Sequence, residues 1–209
     1  MNFYFKSFYL LKFLKLLLSV DKLEVSGAPE DIGFAIGQMD ADSIQKQVLQ
    51  LAEFRETERT WQDSSYLQEL LTAARYFFPE YVLELEGMAR GAQVEYETLL
   101  VWNCRGDLPL PDDAIPESAK HSPEGCTTLL YPAAKSSVTV IAHNEDGPPE
   151  LDGHCSWFSV RQENGSKFST FHYPGMLPGH TLSVNSHGLV QTINNIRVDD
   201  LQSGIPHWC

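Results

Sequence analysis

Gly125-Cys126-Thr127-Thr128-Leu129-Leu130-Tyr131 marks the point at which this chain changes its period. Before it, apolar residues recur at helical spacing: Ile32, Ala35, Ile36 and Met39, then Leu67, Leu70, Leu71 and Ala74. After it, short runs alternate with period two and are punctuated by Gly, Pro and Asn. Helices first and then a run of antiparallel-type strands specify the α+β class.

Working outward on the N-terminal side, Lys22 to Ser26 reads as a strand, turned by Gly27-Ala28-Pro29. A helix starts at Pro29-Glu30-Asp31, with acidic residues where the helix dipole favours them. Ile44, Val48, Leu49, Leu51 and Ala52 continue its pattern. Gly33 and Gly37, four apart on one face, predict close helix packing; the flanking residues lack the Lys-Ser/Thr pair of a phosphate loop. Ser64 to Phe78 predicts a second helix, Pro79 the start of a third that stops near Gly91, and Glu95 to Trp102 a short fourth. The Pro-, Asp- and Ser-rich stretch 107–124 predicts an exposed loop. On the C-terminal side, strands are predicted over Thr127 to Tyr131, Val138 to His143, Ser156 to Gln162, Lys167 to His172, Thr181 to Asn185 and Gly188 to Asn194.

The chain has 209 residues, enough for one domain or one and a half, and a hydrophobic content of 43% allows a sizeable core. A net charge of -13 argues against broad nucleic-acid binding and against adhesion to anionic membranes. The four cysteines, Cys104, Cys126, Cys155 and Cys209, form no C-x-x-C pair, and the chain is too Cys-poor for a disulfide scaffold. Reduced thiols and a cytoplasmic setting are expected. In residues 1–20 the aromatic and Leu-rich run is interrupted by Lys6, Lys12 and Lys15, which suits neither a secretory signal nor a membrane span. That leader is read either as an amphipathic surface helix or as a segment without a role in the fold.

A Gly-Cys bond after an exposed loop and before a strand has a definite chemistry. The Cys126 thiol can attack the Gly125 carbonyl, and hydrolysis of the thioester leaves Cys126 as a new N-terminal residue. Its α-amine, with an unperturbed pKa of roughly 7.7–8, suits a general base at neutral pH. A thiol beside its own amine is then an activated nucleophile. Gly125 suits the cleavage point because it lacks Cβ, tolerates a strained backbone and leaves the attack open. The alternative for Cys126 is a small buried hydrophobe. Thr128 reads either as a strand former or as a hydrogen-bonding neighbour of the nucleophile. His143, His154, His172 and His180, taken with Glu145, match no standard zinc or iron spacing, so no metal is expected.

Several blocks together resemble the acyl-coenzyme A:6-aminopenicillanic acid acyltransferase family, peptidase family C45 of the N-terminal nucleophile hydrolases. They are Leu23 to Gly33 with Gly37; Phe78 to Tyr81 and Glu84 to Gly91; Leu99 to Arg105; Gly125 to Thr128; Asn144-Glu145-Asp146; Asn185 to Leu189; and Gly204-Ile205-Pro206. The resemblance implies an αββα sandwich, self-cleavage before Cys126, and hydrolysis or exchange of small amides through an acyl-thioester. It implies no bound cofactor, with acyl-coenzyme A as a possible co-substrate. Asp146, at the family's Asn-x-Asp position, is implied to orient the Cys126 amine and stabilise its charged form. Asn144 is implied to hold that loop or to contact substrate. Arg105 reads either as a partner of a carboxylate or substrate, or as a surface ion pair.

Family members are longer, and their second half supplies further strands and an Asn that helps form the oxyanion hole. This comparison implies a leader over 1–21 and an incomplete family domain over 22–209. Residues 22–125 would be the propeptide-like helical part, and 126–209 the start of the strand part. The partners implied are a small amide or acyl donor and the two self-cleaved chains, or a complementary C-terminal chain. The competing expectation is a truncated, catalytically inactive fragment or subunit with at most a binding role.

Overall fold

The computed structural model describes residues 21–108, 125–132, 139–194 and 202–209. The leader, nearly all of the loop predicted over 107–124, and Val138 lie outside the described residues. The chain is α+β, as its two periodicities require. Strand β1 (Asp21–Gly27) is followed by helix α1 (Pro29–Lys46), in which Pro29 occupies the first turn and Glu30 and Asp31 face the positive end of the dipole.

The helical pattern expected to run on through Ala52 breaks at Gln47. A 3-10 turn over Val48–Gln50 intervenes, and a separate helix α2 covers Ala52–Trp61. Val48, Leu51 and Phe54 thereby enter a second apolar cluster with Trp102, Leu151, Tyr173 and Met176. Burial in that cluster outweighs local continuity of the helix.

Helix α3 (Ser65–Phe77) begins where Ser64 caps it, the Ser64 hydroxyl accepting from Leu67 N–H at 3.1 Å. Pro79 opens α4 (Pro79–Ala92), as expected. Its end lies beyond the expected stop at Gly91, with Gln93 in the left-handed region at φ 57°. Helix α5 (Tyr96–Cys104) is buried from Thr98 onward.

Gly91 serves packing instead. A Cβ at Gly33 would lie 1.8 Å from the Glu84 carbonyl oxygen, and one at Gly37 2.1 Å from that of Met88. Reciprocally, a Cβ at Gly87 would meet the Glu30 carbonyl oxygen at 2.1 Å, and one at Gly91 that of Phe34 at 2.2 Å. Two glycine pairs on facing helices bring α1 and α4 into backbone contact, so the close packing read from Gly33 and Gly37 is what the structure contains. Ile32, Ile36, Leu85, Met88 and Ala89 then bury completely around that contact.

Strands β2 (Thr127–Tyr131) and β3 (Val140–Asn144) form an antiparallel pair of their own. The main sheet has the order β1-β4-β5-β6-β7, with β4 at Ser156–Gln162, β5 at Lys167–His172, β6 at Ser183–Asn185 and β7 at Val190–Gln191. It is mixed: β1 runs parallel to β4, whereas the other pairs are antiparallel. The last two strands are shorter than their alternation suggested. Val25, Phe158 and Val160 point from this sheet into the core shared with α1, α4 and α5. No helix among the described residues is long and apolar enough to cross a membrane.

Candidate active site

The pairing of β2 with β3 sets the geometry. Thr127 lies opposite Asn144 and Thr128 opposite His143, so Cys126 and Glu145 emerge together from the end of the ladder. The Cys126 thiol lies beside the Glu145 carboxylate, with Sγ, a His143 ring nitrogen and a Glu145 carboxylate oxygen all within 4.8 Å of one another, and the backbone N–H of Asp146 faces the sulfur. His143 Nε2 lies 2.9 Å from Glu145 Oε2, and its Nδ1 lies 3.0 Å from Thr128 Oγ1. Thr128 Oγ1 in turn reaches Asn194 Oδ1 at 2.7 Å and Thr192 Oγ1 at 3.0 Å. Asn194 Nδ2 donates to the Cys126 carbonyl. One hydrogen-bonded chain therefore runs from Glu145, beside the thiol, through His143, Thr128 and Asn194 and returns to the Cys126 backbone.

Burial is uneven along this chain. The His143 side chain is 1% exposed and that of Glu145 21%, whereas Thr128 and Asp146 are exposed. Burial raises the Cys126 thiol above its ordinary pKa; the Asp146 N–H opposes this, and the nearby Glu145 and Asp146 carboxylates reinforce it. The intact chain thus holds Cys126 as a thiol beside a carboxylate acceptor rather than as a free thiolate. A group that takes the proton is needed before this sulfur becomes a nucleophile.

The candidate residues distribute as follows. Cys126, Thr128 and Asp146 meet in one place, although Asp146 reaches the sulfur through its backbone N–H. Its carboxylate is held by Asn144, whose Nδ2 donates to Asp146 Oδ1 at 2.8 Å. Asn144 thereby ties down the side chain two residues along the same loop. Arg105 stands on α5's end with its guanidinium 4.0 Å from the centre of the Trp102 ring, donating to Trp102 O and to Met176 Sδ. Gly125 is exposed, has no positive φ, and a Cβ there would meet nothing within 4 Å. Strain does not require glycine at that position in this conformation.

Sequence reasoning assigned no catalytic part to His143, Glu145, Tyr173, Thr192 or Asn194. Alternation along β3 places Ile141, His143 and Glu145 on one face, a signal that becomes legible once Thr128 is known to pair with His143. Tyr173 had no such signal. A Cβ on Gly147 would lie 2.3 Å from its hydroxyl, so the loop after Asp146 passes directly over it. Burial, then Glu145, Cys155 and Cys126, raise the Tyr173 phenol, and Arg105 opposes them. Two surface hollows, one over Ser26 and Ser159 and one beside Glu84 and His180, are not lined by Cys126, His143 or Glu145.

Residues 133–209 match the model of the family described as acyl-coenzyme A:6-aminopenicillanic acid acyl-transferase. The match contains Asn144 and Asp146 and begins after Cys126. The chain is also 29% identical, over 209 residues, to the beta-alanyl-dopamine/carcinine hydrolase of Drosophila melanogaster. That alignment covers 89% of this chain and 51% of the relative, so the chain spans about half the length of the curated relative it matches. Both matches agree with the ordered blocks of sequence and with the α+β architecture, and the chain is similar to the acyl-coenzyme A:6-aminopenicillanic acid acyltransferase family.

Proposed function

We propose that this chain carries the nucleophile of a Cys N-terminal-nucleophile amide hydrolase that cleaves itself between Gly125 and Cys126. The observation that carries this reading is the Cys126 thiol placed against the Glu145 carboxylate beside an exposed Gly125. Glu145 takes the thiol proton as Sγ attacks the Gly125 carbonyl carbon. The proton then passes to the Cys126 nitrogen as the C–N bond breaks, leaving a thioester. Water cleaves that thioester into a Gly125 carboxyl group and a free thiol, with the Cys126 amine newly exposed.

In the mature site the amine takes the thiol proton and Sγ attacks a small amide substrate. The amine returns the proton to the leaving nitrogen, and an acyl-thioester remains for water to hydrolyse. A second amine in place of water makes the same step a transfer, and an acyl-coenzyme A donor would load the same sulfur. The Asp146 carboxylate, steadied by Asn144, stabilises the charged amine, and Thr128 and Arg105 support the site. The relative's name is that of a hydrolase of beta-alanyl-dopamine and carcinine. Small amides of amino acids with amines are therefore the substrate class assigned here.

Denaturing mass spectrometry tests the reading. Fragments ending at Gly125 and starting at Cys126, absent in Cys126→Ala, are expected. An intact chain whose activity is the same in wild type and Cys126→Ala would refute it and leave a binding role.

A further inference from the structure

We infer that Cys126, His143 and Glu145 form a binding site for one divalent cation of borderline softness, with zinc the best fit. The inference goes beyond the proposed reaction and does not depend on it. Cys126 Sγ, a ring nitrogen of His143 and a carboxylate oxygen of Glu145 all lie within 4.8 Å of one another. Zinc takes thiolate sulfur at about 2.3 Å, imidazole nitrogen at about 2.0–2.1 Å and carboxylate oxygen at about 2.0–2.2 Å. In tetrahedral geometry such ligand atoms stand between about 3 and 4 Å apart. Modest side-chain rotation closes the observed cluster onto an ion.

The support around the cluster is also present. A metal-binding histidine ordinarily has its second ring nitrogen held by a hydrogen-bonding group, which fixes the tautomer and the ring plane. His143 meets Thr128 in that way, and Thr128 is itself tied to Thr192 and Asn194. The His143 side chain is almost wholly enclosed and stands on a paired strand, and Cys126 directly precedes the partner strand. Sulfur in the set disfavours magnesium and calcium, which take oxygen ligands. Three protein ligands leave a fourth position for water.

The linear spacing of His143, Glu145 and Cys126 matches no metal motif because a hairpin, and not a local turn, brings them together. On binding, the thiol gives its proton to solvent and its sulfur lone pair to the ion. An occupied site therefore has no free nucleophile, and metal competes with any use of Cys126 in bond formation.

The test uses the whole chain titrated with Co²⁺ alone, followed by the near-ultraviolet thiolate-to-cobalt charge-transfer band, and then with Zn²⁺ as competitor. One equivalent of Zn²⁺ should abolish the band. Cys126→Ser should lose it, whereas Cys155→Ser and Cys209→Ser should keep it. Thr128→Val, which removes no ligand but takes away the hydroxyl that joins His143 to Thr192 and Asn194, should weaken Co²⁺ binding by about 10–100-fold. His143→Gln should weaken it further. Circular dichroism on each variant separates loss of the site from loss of the fold. No band in the wild-type chain, a band that persists in Cys126→Ser, or equal affinity in folded His143→Gln would overturn the assignment. If the Gly125–Cys126 bond never opens, the same measurement still decides this question, because the three ligands are present in the intact chain.

Discussion

Glu84 on α4 should make this fold less stable as pH rises through neutrality. The residue is 4% exposed, and its Oε1 has no hydrogen-bond partner. Burial lifts its carboxyl from 4.5 to about 8. Below pH 4.5 the folded and unfolded states both hold the proton, and Glu84 contributes no pH dependence. Between 4.5 and about 8 the unfolded chain releases the proton and the folded chain keeps it, so folding is penalised by about 1.4 kcal/mol per pH unit. The accumulated loss is on the order of 3 kcal/mol at pH 7 and about 5 kcal/mol by pH 8. Glu84→Met keeps the volume and removes the titration. Urea unfolding of both proteins at pH 5 and pH 8 isolates the effect, since every other group cancels in the difference. The variant should gain stability relative to wild type by several kcal/mol between those two pH values. Parallel pH profiles would show that the carboxyl ionises normally, and the desolvation argument would be wrong.

Three further outcomes follow from packing and hydrogen bonding. Gly33→Ala places a methyl group 1.8 Å from the Glu84 carbonyl oxygen and must part α1 from α4 by roughly 1.5 Å. Overpacking of about 1–3 kcal/mol or more should exceed the helix-propensity gain of about 1 kcal/mol and lower the melting temperature by several degrees. Gly204→Ala, where a Cβ meets nothing within 4 Å, should shift stability by less than about 0.5 kcal/mol. Asn103 is fully buried, donates to Leu99 O and Gly175 O, and accepts from Leu177 N–H. Asn103→Ala strands two of those groups across the α5 to Gly175 contact and should cost roughly 2–4 kcal/mol in urea unfolding. A cost below about 1 kcal/mol would mean that water replaces the amide.

Much of the scaffold was readable before any coordinates, and for local reasons. Pro29, Pro79 and Ser64 each act on their own helix start, so those boundaries fall where the residues place them. Gly33 and Gly37 declared a close approach without naming the partner; only α4, with Gly87 and Gly91, identifies it. The break at Gln47 was hidden because its cause lies far along the chain, in Trp102, Leu151, Tyr173 and Met176. The site divides in the same way. Cys126 and Asp146 stood out as residues in a recognisable local pattern, whereas Glu145 and His143 lacked any local reason to be singled out for Cys126.

Sequence alone determined the two periodicities, the helix starts, the class of the fold and the thiol at position 126, because each is a property of neighbours along the chain. Tertiary structure decided which groups face that thiol and how they hold it. The registers of Thr127 with Asn144 and of Thr128 with His143 bring Glu145 to the sulfur and pass His143 to Thr128, and Asn194 closes the circuit from 68 positions further along the chain. Such contacts arise from strand pairing across many residues, where sequence distance carries no information about distance in space.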